Sequence, residues 1–236
     1  MIEFGHATHA GLRREHNEDT YWADADLGLF LVADGLGGHE HGELASALAR
    51  DAVVAAARGG KGLSDAALRA NDEILAYPHP DEATVAPMGT TLAALRLGGD
   101  YGFEIAWVGD SRIYLWSQGA LKQLSRDDSL VQELVEQGTI TADEARSHPQ
   151  RNQITQALGI TPPEALKIQP LTGRCSAGMQ FLLCTDGLTE ELDDTSIAAV
   201  LARTDLAAQE CVDHLLLAAL DAGGRDNITV VLVRIR

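Results

Sequence analysis

The chain has 236 residues, 45% of them hydrophobic, and sets 18 basic against 35 acidic side chains, a formal charge of −17. Nucleic acid and anionic membranes both select positive footprints, so neither is an expected partner. A phosphate-bearing substrate would need cations at its site to invert the field. The length suits one large unit that buries roughly three-quarters of its unfolded surface. Cys175, Cys184 and Cys211 are odd in number and lack a CxxC spacing, which points to a reducing compartment. No basic-then-apolar leader and no run of spanning length is read, so a cytoplasmic location is expected.

In chain order, residues 2–8 alternate weakly and are expected to form an edge strand. A polar segment, Gly11 to Asp19, precedes a short strand near Tyr21 and Trp22. Leu29-Phe30-Leu31-Val32-Ala33 is a continuous apolar run closed by Asp34-Gly35, the pattern of a strand buried on both faces. A glycine-rich turn then leads into a helix from about Gly42, with Ala45, Leu48, Ala49, Ala52 and Val53 at core spacing. A second helix is expected over 65–76 and a loop over 78–87. Residues 90–97, 103–108 and 112–116 read as strands joined by tight turns, an antiparallel meander. Residues 125–161 interrupt it with helical pieces at 129–136 and 141–147, where Thr141 and Glu144 have capping-box spacing. Strands are expected near 165–168 and 181–184, then helices over 194–202 and 207–222, then a last strand from Ile228. No linker or repeat divides the chain, so residues 1–236 read as one domain with an insertion at about 125–161.

One design repeats. Apolar runs end at Asp34, at Asp110 and at Asp186, each beside a glycine, and Asp226 opens the last strand. If those ends meet, four carboxylates share a small volume. Two charges ~4 Å apart repel by about 4 kcal/mol at an effective dielectric near 20, so protons or cations must sit between them. An all-oxygen set favours Mg²⁺, Mn²⁺ or Ca²⁺. The competing reading is that Asp-Gly is only a favoured turn dipeptide. Other chemistries fit poorly. Gly35-Leu36-Gly37-Gly38 lacks the G-x-G-x-x-G spacing, Gly60-Lys61-Gly62 is not a P-loop, and His39-Glu40-His41 lacks an i, i+4 histidine pair. No Gly-x-Ser-x-Gly elbow is present.

Six ordered motifs then carry a resemblance. They are Gly11-Leu12-x-Arg14-x-x-Asn17-Glu18-Asp19, Ala33-Asp34-Gly35-x-Gly37-Gly38-His39, Met88-Gly89-Thr90-Thr91, Val108-Gly109-Asp110-Ser111-Arg112, Cys184-Thr185-Asp186-Gly187 and Gly224-x-Asp226-Asn227-Ile228-Thr229. Together they resemble the bacterial branch of the metal-dependent (PPM, type 2C) serine/threonine protein phosphatases, and Asp127-Asp128-Ser129 with His148-Pro149-Gln150-Arg151-Asn152 resembles that branch's flap. The resemblance implies an α+β fold, a four-layer α-β-β-α sandwich of two antiparallel sheets flanked by helices.

It also implies roles. Asp34 would bridge two Mn²⁺ or Mg²⁺ ions, with the Gly35 carbonyl on one of them. Asp186 and Asp226 would complete the pair, and Glu18 would hold metal-bound waters. Asp19 would orient the bridging water, Arg14 would grip the phosphate, and Asp110 with Asp186 would hold a third, weaker ion. Arg14 could otherwise be a plain surface charge. Where the eukaryotic branch has a histidine after Asp-Gly, this chain has Leu36, which leaves the proton donor open between His39 and a water. The function implied is hydrolysis of phosphoserine or phosphothreonine in proteins, opposing a Ser/Thr kinase, by a monomer. A non-catalytic phosphatase-like binding domain and a small-molecule phosphoesterase are the alternatives. Completeness of the carboxylate set is what separates the first from an enzyme, and no member is missing here.

Overall fold

The computed structural model describes residues 1–37, 40–78, 88–168 and 170–236. Two five-stranded antiparallel sheets lie at its centre. One has the order β1 (Ile2–His9), β12 (Ile228–Ile235), β11 (Gln180–Cys184), β8 (Arg112–Ser117), β9 (Ala120–Gln123). The other runs β10 (Leu171–Arg174), β7 (Gly102–Val108), β6 (Leu92–Leu97), β3 (Leu29–Ala33), β2 (Thr20–Asp24). A two-residue ladder joins β4 (Gly35–Leu36) to β5 (Gly89–Thr90). Helices α1 (Glu40–Arg58) and α2 (Leu63–Leu75) cover the second sheet. Helices α6 (Asp194–Leu201) and α7 (Ala208–Ala222) cover the first. Between β9 and β10 the chain forms α3 (Leu130–Glu136) and α4 (Ala142–Ser147), and α5 (Asp186–Thr189) follows β11 directly.

Strand β3 shows why the layers stack. All five of its residues are buried, and the two-residue period of a strand divides them between its faces. Leu29 and Leu31 join Ala49, Val53, Ala67 and Ile74 of α1 and α2. Phe30 and Val32 join Phe181, Leu183, Val231 and Val233 of the opposite sheet. On the far side Leu182, Val230 and Leu232 pack against Ile197, Val212 and Leu215. These three cores produce the α-β-β-α order. Phe103 and Phe181 meet edge-on across the inter-sheet layer at 5.0 Å, so Phe181→Ala would cost about 3–5 kcal/mol.

Four local expectations need correction. Of the strands at 90–97, 103–108 and 112–116, the first two pair antiparallel as a meander requires, but the third leaves it, because β7 and β8 belong to different sheets. The chain crosses between the sheets at Gly109-Asp110-Ser111, where Gly109 has φ +92 and a Cβ would lie 2.7 Å from the Thr91 side chain. No strand forms at 165–168, where a turn at 163–165 runs on into chain without regular structure, and β10 begins only at Leu171. Leu166 and Ile168 are apolar because they pack on the core under α1 and α2 rather than in a ladder. Strand β9, absent from the sequence reading, is made by a two-residue turn in which both Gln118 and Gly119 have positive φ. Helix α5 was not anticipated either. The Thr141–Glu144 capping box is present, with Thr141 N to Glu144 Oε2 at 2.8 Å and Glu144 N to Thr141 Oγ1 at 3.2 Å. The loop expected at 78–87 falls almost wholly outside the described residues.

Candidate active site

The strand ends that carry the acids converge at one end of the sandwich. Asp34 follows β3, Asp110 sits in the corner after β7, Asp186 opens α5 after β11, and Asp226 lies two residues before β12. Asp34 and Asp186 lie close enough to act on each other, Asp186 raising Asp34 and Asp34 lowering Asp186. Burial, then Asp19, Asp186 and Asp110 nearby, hold Asp34 well above the usual carboxylate range. Asp110 is also raised well above it, by burial and then by Asp186 and Asp127. Burial, then Glu190 and Asp226, bring Asp186 up to about 6. Burial lifts Asp19 to about 7, against the hydroxyls of Thr229 and Thr185. Among the described residues, buried oxygens Asp19 Oδ1 and Asp186 Oδ1 have no hydrogen-bond partner.

Asp226 is held differently. Its Oδ2 takes the Arg14 guanidinium at 2.7 Å and its Oδ1 takes the Asn227 amide at 2.8 Å. Among the described residues no three His, Cys, Asp or Glu side chains are drawn into a ready-made metal cage. The chemistry of the set nonetheless suits a hard divalent ion: carboxylates crowded enough to retain protons, two of them with bare oxygens, and no thiolate or imidazole among them.

The two Asp-Gly pairs are not turn glycines. Neither Gly35 nor Gly187 has a left-handed backbone. A side chain on Gly35 would collide with the Gly42 carbonyl of α1, and one on Gly187 with the Asn227 carbonyl before β12. Each glycine lets a neighbouring chain approach the acid that precedes it. Asp34 is fixed further by its backbone, with Asp34 N on Thr91 Oγ1 at 3.0 Å and Thr91 N on Asp34 O at 2.9 Å.

The 10–19 loop is laced from below by Asn227. That side chain accepts Glu18 N at 2.8 Å and donates to the carbonyls of Ala10 and His16 at 3.0 and 2.9 Å. Ser46 of α1 donates to the Glu18 carbonyl at 2.7 Å. Asp19 is buried, with Thr185 Oγ1 donating to its Oδ2 at 2.8 Å. Arg14 is more than half exposed yet no free surface charge, since its guanidinium is spent partly on Asp226.

Across the site, the base of the 125–161 segment grips the Asp110 corner. Gly109 N donates to Asp128 Oδ2 at 3.0 Å, and Asp128 N donates to Gly109 O at 2.9 Å. Arg112 forks onto Asp127, its closest contact at 2.7 Å, and reaches the Tyr114 hydroxyl at 3.0 Å. A cavity of about 310 Å³ opens between α3, α4 and α6, with Asp110 and Asp186 in its lining and Val131, Val135 and Ala145 as apolar walls. Leu36 occupies β4, while Gly38 and His39 lie outside the described residues.

Residues 8–221 match the family model described as Protein phosphatase 2C. The chain belongs to the protein phosphatase 2C family. It is 39% identical over 243 residues to the serine/threonine protein phosphatase PstP of Mycobacterium tuberculosis, an alignment that covers 98% of this chain and 45% of that protein. The chain thus spans less than half the length of that curated relative. It is 34% identical to the serine/threonine phosphatase stp of Listeria monocytogenes, over 96% of this chain and 93% of that one. A crystal structure of the PstP catalytic domain in complex with two manganese ions superposes with a TM-score of 0.87 at 33% identity, covering 100% of this chain and 99% of that chain.

In this protein phosphatase 2C chain, the sequence reading assigned no task to Asn227, Thr185, Thr229, Asp127 or Asp128. Each ties down a residue elsewhere in the chain: Asn227 holds the loop at Glu18, Thr185 holds Asp19 and is itself held by the Thr229 amide, Asp127 holds Arg112 and Asp128 holds Gly109. Only Thr185 and Asn227 carried a positional signal, a short polar side chain beside an acid at a strand end, where backbone groups leave the ladder and need partners.

Proposed function

We propose that this chain hydrolyses phosphoserine and phosphothreonine in proteins with the help of divalent cations, Mn²⁺ or Mg²⁺. The observation that carries the reading is the convergence of Asp34, Asp110 and Asp186 in a site too crowded for three bare anions, with Arg14 at its rim. Asp34, the Gly35 carbonyl, Asp186 and Asp226 would hold two ions, with Glu18 reaching them through water. Asp110 would share a third, weaker ion with Asp186. When bound, such ions acidify a water and steady both oxygens of an in-line displacement.

The remaining steps belong to the chain. Arg14, whose fork has donors beyond the one on Asp226, receives the phosphate oxygens in a geometry that lysine cannot match. Asp19 offers its unpartnered Oδ1 to orient the attacking water. The cavity beside α3 and α4 leaves room for the polypeptide around the phosphoresidue. No nucleophilic side chain is required. We read residues 1–236 as one catalytic unit with a flap at about 125–161, acting as a cytoplasmic monomer on the targets of a Ser/Thr kinase. Among the described residues no helix is long and apolar enough to cross a membrane.

The deciding experiment follows release of phosphate from a phosphothreonine peptide, and of p-nitrophenol from p-nitrophenyl phosphate, with added Mn²⁺ and with excess chelator. Turnover with Mn²⁺ and none with chelator is expected, and robust turnover in chelator would sink the reading. For the third ion, Asp110→Asn is expected to lower turnover while calorimetry still records both tight sites. Loss of a tight site would move Asp110 into the inner pair.

A further inference from the structure

We propose that Thr185 and Thr229 are positioning residues that fix the Asp19 carboxylate for the attacking water. The inference rests on the reading of Asp19 as the residue that orients that water. Both threonines are fully buried, one just before α5 and the other in β12. Thr185 Oγ1 accepts the Thr229 backbone N–H at 3.0 Å and donates its own proton to Asp19 Oδ2 at 2.8 Å. With its oxygen already engaged as an acceptor, the hydroxyl has one direction left for its hydrogen.

The Thr229 hydroxyl faces the Asp19 carboxylate and steadies its charge. It lies 2.8 Å from Thr8 Oγ1, which in turn accepts Asn17 Nδ2 at 2.8 Å. A consistent donor order runs from Asn17 to Thr8 and from Thr8 to Thr229, which leaves the Thr229 hydrogen to turn toward Asp19, each donation polarising the next. Asp19 Oδ2 is held by Thr185, while among the described residues no donor reaches Oδ1. A carboxylate gripped by one oxygen and bare at the other is set up to accept a hydrogen bond from water in one orientation. Strands β1 and β12, the residue that follows β11 and the loop after β1 supply the grip, so the carboxylate cannot swing without breaking contacts among them.

The test replaces one hydroxyl at a time with a methyl. Thr185→Val and Thr229→Val are each expected to lower kcat about tenfold, and together about a hundredfold, the range of one general acid–base group. KM for p-nitrophenyl phosphate and Mn²⁺ affinity by calorimetry should stay at wild-type values, since neither hydroxyl touches phosphate or metal acids directly. Thr185→Ser and Thr229→Ser keep the donor and should restore kcat even if the valine variants melt lower. Wild-type kcat in both valine variants overturns the proposal. So does a fall in kcat that serine fails to restore, which would mark a packing role. Asp19→Asn is measured beside them: if it retains full turnover, the role of Asp19 falls and the inference with it, whereas an inactive Asp19→Asn beside fully active valine variants defeats the threonines alone.

Discussion

The acids stand between two walls with different chemistry. On one side, the loop carrying Arg14, Glu18 and Asp19 and the strand end before it are tied by neutral amides and hydroxyls from residues up to 221 positions away, Asn227 and Thr229 above all. On the other, the segment carrying α3 and α4 is rooted by ion pairs between residues 10 to 15 positions apart, Arg112 with Asp127 and Arg126 with Glu136. Buried neutral bonds are insensitive to salt, and losing one partner strands the other. Part-exposed ion pairs such as Arg126–Glu136 are screened and contribute little individually. Arg112–Asp127, mostly buried, is costly to break. The first wall is therefore built to hold a geometry, and the second is firm at its base at Asp127 and Asp128 but can be altered at small cost farther out, which suits the side that meets a variable polypeptide.

The largest expected effect comes from emptying the space between the walls. Asp34→Ala and Asp226→Ala should each reduce Mn²⁺-stimulated turnover at least about a thousandfold, since metal stabilisation of a phosphoryl transition state is a matter of several kcal/mol. Stability of the metal-free protein should hold or rise for Asp34→Ala, because a crowded carboxylate has been removed. A sharp fall in its metal-free Tm would make Asp34 a structural residue.

The walls themselves can be set against each other by two single substitutions. Asn227→Ala strands the Glu18 amide and the carbonyls of Ala10 and His16, and a loss of about 2–4 kcal/mol is expected from denaturant melts. Arg126→Ala breaks the pair with Glu136, where both side chains are more than 40% exposed, and should cost under about 1 kcal/mol. Equal losses would erase the distinction between the walls.

Arg14→Ala comes next. Removing a charged contact to phosphate should raise KM for phosphate esters by about tenfold or more while both tight metal sites remain. An unchanged KM would leave Arg14 with its Asp226 pairing as its only task.

How much of this was legible in the sequence differs between the walls in the same way. The meeting of Asp34, Asp110, Asp186 and Asp226 could be anticipated because a buried strand prints itself as an apolar run, and the residue that ends it is conspicuous, whereas the layered fold followed from the resemblance that the six motifs carry. The Thr141–Glu144 cap is local and was equally plain. Asn227, Thr185 and Thr229 were not, because what they bind lies up to 221 residues away and no local pattern encodes that pairing. The misplaced strand at 165–168 has a related cause. Apolar content signals burial, and Leu166 and Ile168 are buried or packed on a core without lying in any ladder. The β7–β8 junction failed for a third reason. A tight glycine turn between two strands looks the same whether the strands pair or part into opposite sheets, and only the crowding of Gly109 against Thr91 distinguishes them.

The smallest expected effect, and the one that isolates the acids from both walls, is the pH dependence of the metal-free protein. Asp34 and Asp110 are held well above their ordinary value, Asp186 at about 6 and Asp19 at about 7. For each, the folded chain keeps a proton at pH values where the unfolded chain, titrating near 4, has lost it. Stability falls with rising pH wherever the folded state binds more protons, so it should decline as pH rises from about 4 to about 7 and level off once the raised groups have ionised. Glu3, lowered by the Ala208 amide and Arg236, and Glu191, lowered by Arg225, act in the opposite sense, and their contribution is complete once pH passes the ordinary carboxylate value. The measurement is Tm in chelator at pH 5 and pH 7.5, in wild type and in Asp34→Asn. Wild type should melt several degrees higher at pH 5, and Asp34→Asn should flatten the difference by removing one crowded proton site. Adding Mn²⁺ should reverse the order, because ions that displace those protons bind best when the acids are bare. A wild-type Tm that climbs from pH 5 to 7.5 in chelator would mean the acids are not crowded in solution, and the cation requirement argued from their crowding would lose its basis.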